Sequence, residues 1–303
     1  MRILTYAVRK AMALAAPQPS QQQDSEEHTI ACANTSDHEQ KRTAKRARLD
    51  HDDDDDGEEP FYLSQDDLPA GMTKYWAQRR RLFSKFDEGI KMDKESWYSV
   101  TPEAIAKQTA ARARCKVIVD GFCGAGGNAI QFAFTCDKVI AIDKDPNKIK
   151  LARSNAAVYG VAHKIEFICA DFLGWMAQLS SAQIASIDVV FLSPPWGGMD
   201  YLKPSGPNVS DSGHYYKLNQ LEPIDGFELF KRARKVTERI IFYLPRHMDL
   251  KDLARLAHLL PPSSDNPHPH FAMEVEENWM NEKCKALTVY FGSLVSNPSP
   301  PSP

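Results

Sequence analysis

Residues 116–143 read KVIVDGFCGAGGNAIQFAFTCDKVIAID, two apolar runs separated by a glycine-rich turn and a helix-like segment. The apolar run at 117–122 is typical of a strand that is buried on both faces. The segment at 127–136 is predicted to be a helix, and the run at 139–143 a second strand. Two strands joined through a helix are parallel, so this stretch predicts an α/β fold built on a parallel twisted sheet.

The same alternation continues to residue 292. Further strands are predicted at 165–171, 188–194, 239–245, 271–278 and 286–292, with helices at 146–159, 172–180, 226–236 and 249–259. No helix-like segment separates the last two strands, so we expect a hairpin with one strand antiparallel to the rest. The chain is therefore expected to form a seven-stranded sheet with helices on both faces.

The region before the sheet divides into two parts. Residues 1–60 hold 8 of the 37 basic and 13 of the 40 acidic side chains and few aromatics, which predicts a disordered tail. Residues 61–113 are predicted to form a helical extension, because apolar residues recur every three to four positions as far as residue 90. The folded domain is then expected at 114–295, followed by a disordered tail at 296–303.

Two features of the sequence bear on location. The basic cluster at 41–48 resembles a nuclear import signal, and a solvated charge run explains it equally well. No apolar run approaches the roughly 20 residues of a membrane-spanning helix, so we expect no membrane association.

Acidic residues end three successive predicted strands: Asp120, Asp143 and Asp171. The carboxyl ends of parallel strands form the edge at which α/β proteins bind ligands. Asp143, 19 residues after Gly124, can accept hydrogen bonds from two ribose hydroxyls. Asp120 beside the glycine loop would repel a pyrophosphate and suits an ammonium group. Each Asp alone is more often a loop-forming residue, but together they favour S-adenosylmethionine over a dinucleotide.

The fourth predicted strand ends in SPPWGG at 193–198. Consecutive prolines cannot continue a sheet or donate backbone hydrogen bonds. The Ser193 hydroxyl and the Pro194 carbonyl can accept hydrogen bonds from an exocyclic amine, and Trp196 offers a face on which a base can stack. The alternative is a rigid turn capped by a packed Trp. The position at the sheet edge favours a site that acts on an amino nitrogen.

D-x-F-C-G-x-G-G-N at 120–128, the acid at 143 and SPPWGG resemble the class I methyltransferases that act on amino nitrogens, specifically the trimethylguanosine synthase family. Further similar stretches lie at 74–93, 97–103, 145–160, 165–172 and 242–246, so the resemblance covers about 61–295. It implies a Rossmann-like class I methyltransferase sheet with a small N-terminal helical extension.

The resemblance also implies the roles of individual residues. The cofactor would be S-adenosylmethionine with no metal, and its binding residues would be Phe83, Thr101, Asp120, Gly124, Gly126, Asn128, Asp143, Asp171 and Phe172. The catalytic residues would be Ser193, Pro194 and Trp196. The residues that bind 7-methylguanine and the cap phosphates would be Lys74, Asn155, Trp196, Tyr201 and Arg246.

The activity implied by the resemblance is methylation of the guanine N2 of 7-methylguanosine RNA caps, giving 2,2,7-trimethylguanosine on snRNA and snoRNA. We expect a nuclear monomer, in the nucleolus or Cajal-body-like sites among others, with snRNP or snoRNP proteins contacting the N-terminal tail. Two alternatives stay open at this point. One is N2-guanine or N6-adenine methylation of internal RNA or DNA bases, and the other is a cap-binding module without turnover.

Overall fold

The computed structural model describes residues 2–3, 62, 65, 68–69, 71–198, 215–259 and 273–295, all within one compact unit. The predicted tails at 1–60 and 296–303 lie outside the described residues, apart from Arg2–Ile3. These two residues form a short strand, so the prediction of disorder is wrong for them. Edge strands carry unpaired backbone groups, and Arg2–Ile3 pairs antiparallel with such an edge.

Eight strands form one sheet. They are β1 (Arg2–Ile3), β2 (Val117–Asp120), β3 (Lys138–Asp143), β4 (Ile165–Cys169), β5 (Val189–Leu192), β6 (Ile240–Pro245), β7 (Met273–Met280) and β8 (Lys283–Phe291). The order across the sheet is β1-β7-β8-β6-β5-β2-β3-β4. Strands β2 to β6 are parallel, while β8 lies antiparallel to both β6 and β7. All seven predicted strands are therefore confirmed, with β1 added at the edge.

Ten helices accompany these strands in the described parts of the chain. They are α1 (Thr73–Trp76), α2 (Arg79–Leu82), α3 (Ser96–Ser99), α4 (Glu103–Arg112), α5 (Gly127–Thr135), α6 (Pro146–Val158), α7 (Phe172–Ala177), α8 (Ser181–Ser186), α9 (Gly226–Ala233) and α10 (Leu250–His258). No helix among the described residues combines the length and apolar character needed to cross a membrane.

The last two strands form the predicted hairpin. Asn281 and Glu282 connect them with φ angles of 48° and 59°, the left-handed conformation that a two-residue hairpin turn of type I′ requires. Strand β8 begins at Lys283, three residues before the predicted start at 286. Lys283 and Lys285 of β8 therefore lie close to the hairpin turn.

The N-terminal extension is not the single helix face that its periodicity predicts. Helices α1 and α2 have four residues each, and the chain leaves α2 at Phe83 with an extended conformation, φ −138° and ψ 116°. A 3₁₀ turn at Phe86–Glu88 then ends at Gly89, whose φ is 112°. Phe83, Phe86 and Ile90 are nonetheless buried. These apolar residues are therefore buried by a segment that folds back on itself, and they do not lie along one continuous helix.

The sheet separates two apolar cores, because successive strand residues point to opposite faces. Ile118 packs on one face with residues of the extension, α4, α5 and α6. Val119 packs on the other face with residues of α7, α9 and α10. The extension therefore lies on the same face as the helix that follows the glycine loop.

A buried charge network attaches α4 to the hairpin. The Arg112 guanidinium donates to Glu274 at 2.8 Å and to Glu276 at 2.9 Å, and it lies 3.5 Å from the centre of the Tyr290 ring. Both carboxylates are about 2% exposed. Arg112 forms an ion pair with each of these carboxylates.

We expect Arg112→Ala to lower the free energy of unfolding by about 3–5 kcal/mol, because it removes a cation that pairs with two buried carboxylates. Chemical denaturation followed by circular dichroism measures this change. The matched control is Arg114→Ala, since Arg114 is exposed. Equal stability losses in the two variants would show that the network does not stabilise the fold.

Candidate active site

The glycine loop between β2 and α5 lies at the carboxyl edge of the sheet. Gly124 has a φ of 50° and Gly126 a φ of 89°, both in the left-handed region. A Cβ on Gly126 would lie 3.1 Å from the Cα of Ala152 in α6. Gly126 therefore meets two requirements at once, a left-handed conformation and close packing of the loop against α6.

Asp143, at the end of β3, holds this loop in place. Its Oδ2 accepts a hydrogen bond from the Gly124 amide at 2.9 Å, and its Oδ1 accepts one from the Asp145 amide at 3.0 Å. Burial raises the pKa of Asp143 above its ordinary value. Each carboxylate oxygen can accept a second hydrogen bond, so the half-buried side chain can still receive hydroxyl groups.

Asp120, at the end of β2, is the acid of this edge whose pKa is shifted most. It is fully buried, and neither carboxylate oxygen has a hydrogen-bond partner among the described residues. Burial raises the pKa of Asp120 to about 7, and the charge of Asp143 adds to the rise. An unpaired buried carboxylate is unfavourable. A cationic ligand group would supply the missing partner, so this residue fits the predicted ammonium contact.

The N-terminal extension packs onto the same loop. Asn128 Nδ2 donates to Thr101 Oγ1 at 3.0 Å, and both side chains are buried. The Asn128 Oδ1 has no hydrogen-bond partner. A Cβ on Gly127 would lie 3.0 Å from Val100 Cγ1 and 3.9 Å from the Phe83 ring. The structure thus brings Phe83, Thr101 and Asn128 together at the loop, as the predicted cofactor set requires.

Asp171 and Phe172 lie at the start of α7. The exposed Asp171 caps this helix, with Oδ2 accepting from the Gly174 amide at 2.7 Å. Phe172 is buried, and its ring centre lies 5.5 Å from that of Phe122. Their contact with adenine stays a prediction. N-terminal capping of α7 by Asp171 is a role that the sequence analysis did not assign.

The segment after β5 is tied to the glycine loop. Ser193 Oγ donates to the carbonyl of Phe122 at 3.2 Å, which leaves its lone pairs free to accept from a ligand. Pro194 is buried, while Trp196 is half-buried. The Trp196 ring lies 5.5 Å from the Tyr243 ring with the planes tilted by 31°. Tyr243, in β6, is a site residue that the sequence analysis missed, although it lies within the similar stretch at 242–246.

Asn155 does not have the role that the resemblance implies. Its side chain is fully buried, with Oδ1 accepting from the Lys91 amide at 2.8 Å. Its Nδ2 donates to the carbonyls of Lys91 at 2.9 Å and Ala125 at 3.0 Å. The prediction of a contact with the purine edge is therefore wrong, because Asn155 has no exposed surface and both amide hydrogens are used. It joins the extension to the glycine loop instead.

Lys74 and Arg246, predicted to bind phosphates, are both exposed near the hairpin. The Nζ of Lys74 lies 4.9 Å from the centre of the Tyr75 ring. Arg246 Nη1 donates to the carbonyl of Cys284 in β8 at 3.4 Å. Tyr201, the third predicted phosphate ligand, lies outside the described residues. Within the described parts of the chain, no three His, Cys, Asp or Glu side chains form a group that could hold a metal ion.

The chain is similar to known methyltransferases. Residues 115–294 match the family described as RNA cap guanine-N2 methyltransferase. The trimethylguanosine synthase of Schizosaccharomyces pombe is 43% identical over 192 residues, which are 62% of this chain and 76% of that protein. That of Saccharomyces cerevisiae is 38% identical over 193 residues, 61% of this chain and 58% of that protein. A solved structure of a candidate methyltransferase from Porphyromonas gingivalis W83 shares the fold, with a TM-score of 0.52 and 15% identity over 76% of this chain and 52% of that one.

The raised pKa of Asp120 makes stability depend on pH in a defined direction. Between the unfolded pKa near 4 and the folded pKa of about 7, the folded state holds a proton that the unfolded state has lost, so stability falls as pH rises through this window. Asp120→Asn removes this effect. We expect the ligand-free variant to be about 4 kcal/mol more stable than the wild type at pH 8, with the difference shrinking towards pH 4.

Urea denaturation at several pH values between 4.5 and 8 measures the difference. Asp137→Asn is the matched control, because it makes the same substitution at an exposed position. A constant difference between Asp120→Asn and the wild type across this range would contradict the proposed burial of an ionisable, unpaired carboxyl.

Proposed function

The chain belongs to the RNA cap guanine-N2 methyltransferase family, and from this premise we propose that it converts 7-methylguanosine caps into 2,2,7-trimethylguanosine with S-adenosylmethionine as donor. The enzyme methylates the N2 amine of cap guanosine. One observation carries the proposal beyond the family. The unpaired Asp120 and the Ser193–Trp196 segment lie on neighbouring strands, because Asp120 pairs with Phe191, two residues before Ser193. A cation-binding acid and an amine-binding segment thus share one edge.

The residues at this edge fit S-adenosylmethionine. Asp120 would bind the ammonium group of its methionine part, and the free lone pairs of Asp143 would accept the ribose hydroxyls. Phe172 and the exposed Asp171 would contact the adenine. When bound, this group supplies an electrophilic methyl on a positively charged sulfur. The buried surroundings of Asp120 would exclude water from the ammonium contact and strengthen it.

Trp196 explains how a 7-methylated cap would be preferred. Methylation of N7 makes the purine cationic, and a cation over an indole face gains roughly 0.5–2 kcal/mol. Stacking of the base adds about 1–3 kcal/mol. The Tyr243 ring lies beside the indole and would keep it in position. An unmethylated cap would lose the cationic part of this interaction.

Catalysis would rest on alignment of the amine. The Ser193 hydroxyl and the Pro194 carbonyl would accept the N2 hydrogens and direct its lone pair at the methyl group. Well-oriented reactants gain roughly 7–11 kcal/mol over free ones. The methyl donor is already activated, so no nucleophilic side chain is needed, and the proton lost from N2 can pass to water. Lys74 and Arg246, both exposed cations, would bind the cap phosphates.

We also propose that the substrates are snRNA and snoRNA caps and that the enzyme works in the nucleus as a monomer. The support is the similarity to two trimethylguanosine synthases and the basic cluster at 41–48. Proteins of snRNP and snoRNP particles would contact residues 1–60, where basic and acidic runs follow each other. Affinity capture of nuclear RNA with the full chain, followed by sequencing, tests this assignment.

A capped-dinucleotide assay tests the reaction. We expect kcat/KM for 7-methyl-GpppG to exceed that for GpppG by about tenfold or more, because only the methylated base is cationic. Mass spectrometry of the product should find two added methyl groups. Equal rates on the two dinucleotides would contradict cationic stacking on Trp196, and efficient methylation of uncapped RNA would support internal-base methylation instead.

Substitution at Trp196 should separate substrate binding from cofactor binding. Trp196→Ala removes the stacking face, so we expect turnover to fall by about 100-fold or more while S-adenosylmethionine affinity, measured by calorimetry, changes only a few-fold. Trp196→Phe, which keeps a smaller ring, should retain intermediate activity. Asp143→Ala is the converse control and should weaken cofactor binding first. Loss of cofactor binding in Trp196→Ala would instead assign this side chain a structural role.

A further inference from the structure

A cavity of about 500 Å³ lies between the N-terminal extension and the β7–β8 hairpin. We call it the hairpin cavity, and its lining residues are Lys74, Ala77, Gln78, Arg81, Met280, Asn281, Lys283 and Lys285. Four of these eight residues are cationic and none is acidic. Such a lining is complementary to an anion that carries several charges.

The cations of the hairpin cavity differ from the neighbouring arginines in ion pairing. The adjacent Arg79 and Arg80 both form ion pairs with Asp87. By contrast, no ion pair within the described residues involves Arg81 or the cavity lysines. With the Asn281 amide turned to satisfy both groups, its oxygen accepts from Arg81 at 3.1 and 3.2 Å, which holds the guanidinium against the hairpin turn. Within the described residues the cavity therefore holds four cations without an ion-pair partner, and Glu282 lies in the adjacent turn.

The hairpin cavity adjoins the proposed phosphate-binding residues of the cap site, because Lys74 is one of its lining residues. The Trp196 ring contacts Tyr243 in β6, and β6 leads to Arg246, which donates to the Cys284 carbonyl. Lys283 and Lys285 flank Cys284 and project to the same face of β8, since alternate strand residues share a face. Lys74 and Arg246 thus link the proposed cap-phosphate site to the hairpin that carries the cavity lysines.

We propose that the hairpin cavity binds the phosphodiester backbone of the RNA nucleotides that directly follow the cap. This inference rests on the proposed function, since it needs the cap guanosine at Trp196. Phosphates positioned by exposed Lys and Arg give affinity without reading sequence. Lys74, which the cavity shares with the proposed cap-phosphate site, favours RNA over an acidic protein segment as the occupant. The enzyme should accordingly use a capped oligonucleotide better than a capped dinucleotide.

The test compares two substrates on the full chain. These are 7-methyl-GpppG and a 7-methylguanosine-capped RNA of about ten nucleotides, a length suited to single-strand sites. In the wild type we expect kcat/KM to be about tenfold higher for the RNA at about 50 mM salt. The double variant Lys283→Gln/Lys285→Gln should lose this advantage while its rate on the dinucleotide stays within about twofold. The salt slope of log KM for RNA should fall by about 1.4, or about 0.7 for each phosphate contact.

A matched variant controls for net charge. Lys231→Gln/Lys235→Gln removes two exposed lysines at α9, a helix that packs in the core of the opposite sheet face, and should keep the full preference for RNA. If Lys283→Gln/Lys285→Gln keeps the wild-type preference for RNA over the dinucleotide, the inference is overturned. An acidic protein segment then becomes the favoured occupant of the cavity. Equal losses on both substrates would also overturn the inference. A wild type inactive on both substrates would instead refute the proposed function.

Discussion

The hydrogen bond from the Gly124 amide to Asp143 shapes the whole edge of the sheet on which function depends. It joins the ends of β2 and β3 and bends the glycine loop so that Gly126 can approach α6. Asn155 supports the same loop from the other side through the Ala125 carbonyl. With the loop held at both points, Asp120 lies beneath it without a hydrogen-bond partner in the described part of the chain.

This arrangement places an unfavourable group at the centre of a stable fold. The cores on both sides of the sheet enclose Asp120, and burial raises its pKa to about 7. The nearby Asn128 Oδ1 also lacks a hydrogen-bond partner. Active sites often retain such unsatisfied groups at the expense of stability, because a ligand satisfies them. The unsatisfied oxygens of Asp120 and Asn128 give the cofactor proposal a physical basis that is separate from the family resemblance.

The N-terminal extension joins the proposed cofactor site to the proposed RNA path. Toward the sheet, the Ser84 hydroxyl donates to Glu103 at 2.9 Å, and the Tyr159 hydroxyl donates to the same carboxylate at 2.6 Å. These contacts fix the extension against α4 and α6. Toward the hairpin, the extension contributes Lys74 and Arg81 to the cavity. One segment of chain therefore orders both ends of the substrate site, so cap and cofactor binding are expected to depend on it together.

The strands and the acids that end them could be predicted from the sequence, because a buried strand, a glycine turn and a helix are each determined by neighbouring residues. The positions of Asp120, Asp143 and the SPPWGG segment at one edge follow from parallel topology alone. The sequence could not reveal that α2 breaks at Phe83, that Asn155 is spent on backbone groups, or that Asp87 neutralises Arg79 and Arg80 but not Arg81. Those outcomes depend on partners that are far apart in the chain. Lys91 and Asn155, for example, are separated by 64 positions. Only the tertiary structure decides such roles, because a side chain's hydrogen bonds and charge depend on which distant groups pack beside it.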